Sequence, residues 1–280
     1  MSTPPIASIT FQSSVRRFGS IHRRSCMTLP GLDGFSFAAL AVLSVTAFVA
    51  GLARGFSGFG SALIFMPLAS AAIGTQVASP LLLIIEMIAA ASLVPGAARI
   101  ANRREVMLMV IGSLVGVPLG TLVLLHADPL AVRWMIGALI VPLLILMMAG
   151  WRYPRPPTAP ATTLVGALAG FFGGVAQVGG PPVVLYWLRD ATTATVTRAS
   201  LILYFAVSDF IILASYLWGG LFTRTVIGLA LVAGPVFGVG LWIGSHMFGL
   251  ASDLTFRRVC YALIAASALI SLPLFDGLLR

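Results

Sequence analysis

"GFSGFGS", residues 55–61, and "GFFGGVAQVGG", residues 170–180, decide how this chain is read. Both are runs of glycine and small residues set between apolar segments, although each glycine weakens a helix by about 1 kcal/mol relative to alanine. The apolar segments that follow them, 61–73 and 180–188, are also short. Crossing a hydrocarbon core of ~30 Å takes about 20 residues. Each short segment is therefore expected to be a half-helix that turns back or one arm of a broken helix.

The surrounding composition sets the solvent. Of 280 residues, 59% are hydrophobic and only 9% charged, with a mean hydropathy of +1.04. Soluble domains carry roughly 25% charged residues. Apolar runs recur from residue 35 onward, so the chain reads as an all-α polytopic transmembrane bundle with no soluble domain left over. The net charge of +9 comes from 17 basic residues, all arginine, which sit mostly in tails and short loops. That placement is an orientation signal and excludes a nucleic-acid patch. Cys26 and Cys260 lie too far apart in kind for a disulfide framework or metal site; no metal and no cofactor are expected. Residues 1–34 are polar and arginine-rich, superficially like a transit peptide. A cytoplasmic tail, or a start at Met27, explains them better.

The remaining apolar segments are 35–54, 80–98, 106–125, 130–150, 164–176, 200–219, 224–248 and 254–275. "GLARGFSG" at 51–58 lies over "GALAGFFG" at 166–173, an offset of 115, and "GVPLG" at 116–120 lies over "GLWIG" at 240–244, an offset of 124. The chain is thus expected to hold two homologous repeats, 35–150 and 164–280, joined by a proline-rich cytoplasmic linker at 151–163. Eight spans plus two re-entrant or broken elements put both termini in the cytoplasm. They also place 11 of the 17 arginines inside, Arg99, Arg103, Arg104, Arg152 and Arg155 among them. Ten spans with inverted halves would move those five outside, against the positive-inside tendency.

Irregular backbone survives in a bilayer only where protein or a water-filled cavity satisfies it. Transporters place such breaks near the midplane, where half-helix N-termini face an anion. Gly55, Gly58, Gly60, Gly173, Gly174, Gly179 and Gly180 allow close backbone approach. Pro181 and Pro182 suit a helix start, and Ser57, Ser61 and Gln177 can hydrogen-bond a ligand. These residues, Pro182 apart, form the expected substrate site. Glu86 and Asp209 lie within apolar runs at an offset of 123, in corresponding places of the two halves. An acid at that depth costs about 2.5–3.5 kcal/mol and normally faces a cavity or partner, which makes both candidates for proton coupling. Arg54, Arg189 and Arg198 stand at helix ends, as anion contacts or interfacial snorkelling residues. By contrast, the "GSLVGVPLG" run at 112–120 reads as helix packing.

The order of "GLARGFSGFGSALIFMPL", "GALAGFFGGVAQVGGPPVVLYWL" and "GPVFGVGLWIG" resembles the sulfite exporter TauE/SafE family, also described as 4-toluene sulfonate uptake permeases, over roughly residues 35–275. The resemblance implies a bacterial inner-membrane transporter of sulfite, sulfoacetate, sulfonates or similar anions, driven by protons or the membrane potential. It carries over Gly55, Gly58, Gly60, Pro67, Gly170, Gly173, Gly174, Gly179, Gly180 and Pro181. A small anion and the lipid bilayer are the expected partners, with room for a homo-oligomer. Two other classes compete. "GFSG" also fits the nucleophile loop of a rhomboid-like intramembrane serine protease, with Ser57 as nucleophile and His246 as base. The second copy carries Phe172 in place of Ser57, so the glycines persist where the hydroxyl does not. A non-transporting membrane scaffold is the third class.

Overall fold

The computed structural model describes residues 37–57, 60–91, 94–149, 158–187 and 194–247. Among them are ten helices and no strand: α1 (Phe37–Ser57), α2 (Ser61–Ile73), α3 (Thr75–Ala90), α4 (Val94–Ile100), α5 (Arg103–His126), α6 (Pro129–Met148), α7 (Ala159–Ala176), α8 (Gly180–Trp187), α9 (Ala194–Trp218) and α10 (Arg224–Met247). Helices α1, α5, α7, α9 and α10 are long and apolar enough to cross a membrane, and α3 with α4 would make a sixth span. The apolar stretch of α6, Leu130–Pro142, is shorter, and the expected span 254–275 lies outside the described residues, as do Cys26 and Cys260. Large apolar side chains such as Leu114, Leu119, Leu231 and Trp242 point outward, as expected where lipid replaces water.

The two short segments form as anticipated. Helix α2 has 13 residues and α8 has 8, so at 1.5 Å per residue neither can reach across the hydrocarbon. Helix α2 follows Gly60, whose φ of 92° is a left-handed conformation that glycine adopts without penalty. It ends at Gly74, whose φ of 81° is again positive but with an extended ψ of 148°, and the chain turns there directly into α3.

Several helices depart from the apolar runs. The run 80–98 is two helices, α3 and α4, bent by 74°. Helix α5 starts three residues before its run because Asn102 caps it: its side chain accepts from the Glu105 N–H at 3.4 Å while donating to Glu105 Oε1 at 2.9 Å. Its end takes in His126. Helix α7 begins at Ala159, inside the stretch expected as linker, with Pro160 in its first turn.

The two most extensive helix pairs are α5 with α7 and α1 with α10. Both rest on glycine. A Cβ at Gly51 or Gly55 would overlap the carbonyl of Phe237 or Leu241, and one at Gly240 or Gly244 the carbonyl of Phe48 or Leu52. Likewise, a Cβ at Gly112, Gly116 or Gly120 would strike the carbonyl of Thr163, Ala167 or Phe171. Small residues bring backbones together where no hydrophobic force acts between helices in lipid. Three apolar clusters fill the remaining space. One joins α1, α2, α3, α6 and α10, a second joins α5, α8 and α9, and a smaller one surrounds Leu83, Ile212 and Tyr216.

Candidate functional site

The two breaks meet. A cavity with about 520 Å³ of empty space, open mouth included, is lined by the start of α2 (Gly60 to Leu63) and the segment from Gln177 to Pro181. Helix α9 closes it with Tyr204, Phe205, Ser208, Asp209 and Ile212, and Arg54, Glu86, Ala169 and Gly173 complete the wall.

Each wall residue is placed for a local reason. Helix α7 ends because Gln177 turns left-handed, φ 61° and ψ 11°, where helices commonly end on glycine. Its N–H still bonds Gly173 O at 2.8 Å, and Val178 N–H reaches back to Phe172 O at 3.2 Å. The last carbonyls of α7 are capped from outside: Tyr216 donates to Gly174 O at 2.9 Å, and Ser79 to Val175 O at 3.5 Å. Helix α8 then starts on Gly180, Pro181 and Pro182. The prolines lack N–H groups, so its N-terminus keeps its positive dipole end but offers few donors. The far end of α8 is anchored, with Trp187 Nε1 donating to Glu105 Oε2 at 2.7 Å and Tyr186 bonded to Thr162. On α9, Tyr204 is held by Ser113 at 2.8 Å, and Ser113 in turn donates to Gly166 O at 3.1 Å.

The charges are distributed unevenly. Arg54 Nη1 lies 3.2 Å from Glu86 Oε2, and both side chains are about nine-tenths buried. The Ser61 hydroxyl donates to Glu86 Oε1, and Arg54 Nη1 lies 3.4 Å from Ser61 Oγ. Arg54 is thus an interior residue paired with an acid, neither a snorkelling side chain nor an open anion contact. Asp209 is 4% exposed and Gln177 8%. Asp209 Oδ2 and Gln177 Nε2 have no hydrogen-bond partner among the described residues, although such buried groups are nearly always paired.

Of the expected site residues, Gly60, Ser61, Gly173, Gln177, Gly179, Gly180, Pro181, Glu86 and Asp209 line this one cavity. Gly55 and Gly174 do not. Gly55 packs on Leu241 and Ser245 of α10, and Gly174 on Val117 and Thr121 of α5. Gly58 and the side chains of Ser57, Arg189 and Arg198 lie outside the described residues. His246 is exposed on α10, bonded to Trp242 O at 2.8 Å, and does not line the cavity. The sequence reading missed the role of Arg54, together with Tyr204 and Ser208. A signal for Arg54 was present: it stands one turn before the first break, and a lone intramembrane acid such as Glu86 calls for a cation.

A search of curated proteins and a search of solved structures each find no significant match. Residues 43–270, most of the chain, match the protein family described as sulfite exporter TauE/SafE. Helices able to span a membrane, two interrupted ones meeting at a cavity, and that match agree, and the chain is a member of the sulfite exporter TauE/SafE family of membrane transporters.

Proposed function

We propose that this chain is a secondary transporter for a small sulfur-containing or organic anion such as sulfite, sulfoacetate or a sulfonate across the bacterial inner membrane, driven by protons or the membrane potential. One observation carries the reading. Two helix interruptions, one from each half, converge on a cavity that holds an unpartnered amide donor, Gln177 Nε2. The N-terminal ends of α2 and α8 line the same space, and their partial positive charge favours an anion. Eight spans with cytoplasmic termini remain the topology that best fits the arginines.

We further infer that the halves are related in a register one helical turn away from the offset of 115. The glycine contacts support it. Gly116 meets Ala167 where Gly240 meets Phe48, and Gly120 meets Phe171 where Gly244 meets Leu52. With α5 and α10 offset by 124, these contacts put α1 and α7 at an offset of 119: 167 less 48, and 171 less 52. The breaks follow the same number, since α2 starts at Ser61 and α8 at Gly180. In that register Gly51, Gly55 and Gly60 pair with Gly170, Gly174 and Gly179, whereas Gly58 stands opposite Gln177 and Arg54 opposite Gly173. The second half therefore carries a side-chain amide where the first has glycine, in a backbone conformation that glycine suits. Ser57 stands opposite Ala176, so the hydroxyl is again absent from the second copy.

The test is flux into liposomes holding the purified chain, with sulfite, sulfate, thiosulfate, sulfoacetate and simple carboxylates offered with and without a pH gradient. At least one sulfur oxyanion or sulfonate is expected to accumulate, and uniformly absent flux would remove the proposal.

A further inference from the structure

The three charged groups of the cavity do not share one task. Glu86 has both oxygens engaged, Oε2 by Arg54 and Oε1 by Ser61, and its charge is matched. Asp209 has neither advantage: Oδ2 is unpartnered, and in the 119 register the place of Arg54 in its own half is taken by Gly173. The charged groups facing Asp209 are Glu86 from α3 and Arg54 from α1, while Tyr204 and Tyr216 flank it on α9. Helices α4, α5, α7 and α8 add no charged side chain to the lining. Because Arg54 and Glu86 cancel, an ionised Asp209 would leave the cavity with net negative charge. Like charges close together in a poorly solvated site repel strongly. An anion cannot share the cavity with that carboxylate. A proton on Asp209 removes the repulsion and supplies an O–H donor.

We propose that Asp209, and not Glu86, takes up the proton that travels with the anion. This rests on the transport reading above and adds the coupling partner and its carrier. The proton passes from water to Asp209 Oδ2. The anion then accepts from that O–H and from Gln177 Nε2. On the other side of the membrane the proton returns to water as the anion leaves. One proton moves per anion, and a singly charged anion crosses without net charge. The Arg54–Glu86–Ser61 group stays closed throughout and ties the end of α1 to α2 and α3.

Methanesulfonate and sulfoacetate test the assignment, because their charges do not change between pH 6 and pH 9 and any pH dependence belongs to the protein. Affinity for the purified full chain is read from calorimetry and thermal shift. In the parent it should fall by about tenfold per pH unit on the alkaline side, the slope for one linked proton. Asp209→Asn, neutral and still a donor, should bind with no pH dependence. The double variant Arg54→Gln, Glu86→Gln, which removes the cancelling pair together and leaves Asp209 as the charged group of the lining, should keep the slope. A slope that survives in Asp209→Asn, is absent from the parent, or vanishes in the double variant overturns the assignment and leaves anion transport standing. Failure of both probes and of sulfite to bind the parent at any pH overturns the transport reading as well.

Discussion

Gln177 is the non-glycine residue with positive φ among the described residues, and it ends helix α7 with its amide nitrogen unpaired in the cavity. A left-handed non-glycine residue costs on the order of 1–3 kcal/mol and persists where the surroundings demand it. Strain and an unsatisfied donor at one residue are two costs that a purely structural helix end would not carry. Stability and function should therefore separate at this position. Gln177→Gly is expected to leave the protein as stable or more stable by about 1 kcal/mol, because the backbone strain is relieved. A hydrogen bond to a charged group is worth about 1.5–3 kcal/mol, so anion affinity should drop by roughly 10- to 100-fold. Thermal denaturation and calorimetric titration of the same preparation check both halves of this expectation.

At the scale of helices, the glycines divide into those that seat another backbone and those that do not. Gly116 of α5 lies against the Ala167 carbonyl of α7, whereas Gly238 of α10 has open space where a Cβ would go. Gly116→Ala must push α5 and α7 apart, an overpacking cost of about 1–3 kcal/mol, while Gly238→Ala should stabilise its helix by up to about 1 kcal/mol. Unfolding midpoints that move in opposite directions would bear this out; equal shifts would not. The helices and both breaks were legible in the sequence because length and hydropathy alone mark them: 61–73 and 180–188 are too short to cross, and α2 and α8 occupy almost those limits. The bend between α3 and α4 was not legible, since "IAAASLVPGAARI" keeps its apolar character through the turn. The repeat register is ambiguous in the sequence for a related reason. Glycines spaced four apart match equally well when slid by four, and the contacting carbonyls are what support the proposed register of 119. Glu86 and Asp209 were found as isolated acids in apolar runs. Their different situations depend on Arg54, whose direction no one-dimensional pattern states.

At the scale of the whole molecule, the two halves do not form separate bodies. Helix α1 belongs to the first half but finds its closest partner in α10 of the second, and α7 of the second finds its partner in α5 of the first. The cavity is likewise shared, with Arg54, Ser61 and Glu86 from one half facing Gln177 and Asp209 from the other. Such an exchange means that neither half can complete its glycine interfaces alone. In isolation, residues 1–150 would leave the grooves of α1 and α5 without partners, and residues 151–280 those of α7 and α10. Helix association in a bilayer depends on close packing, so neither fragment should give a stable, monodisperse particle in mild detergent. A cut between residues 150 and 151 lies outside the helices that form these interfaces. Co-expressing 1–150 with 151–280 is therefore expected to yield a complex that co-purifies at one-to-one stoichiometry and binds anions with an affinity within a few-fold of the unbroken chain. Independent folding of either fragment, measured as a cooperative thermal transition on its own, would contradict the shared interfaces and with them the placement of one site between two halves.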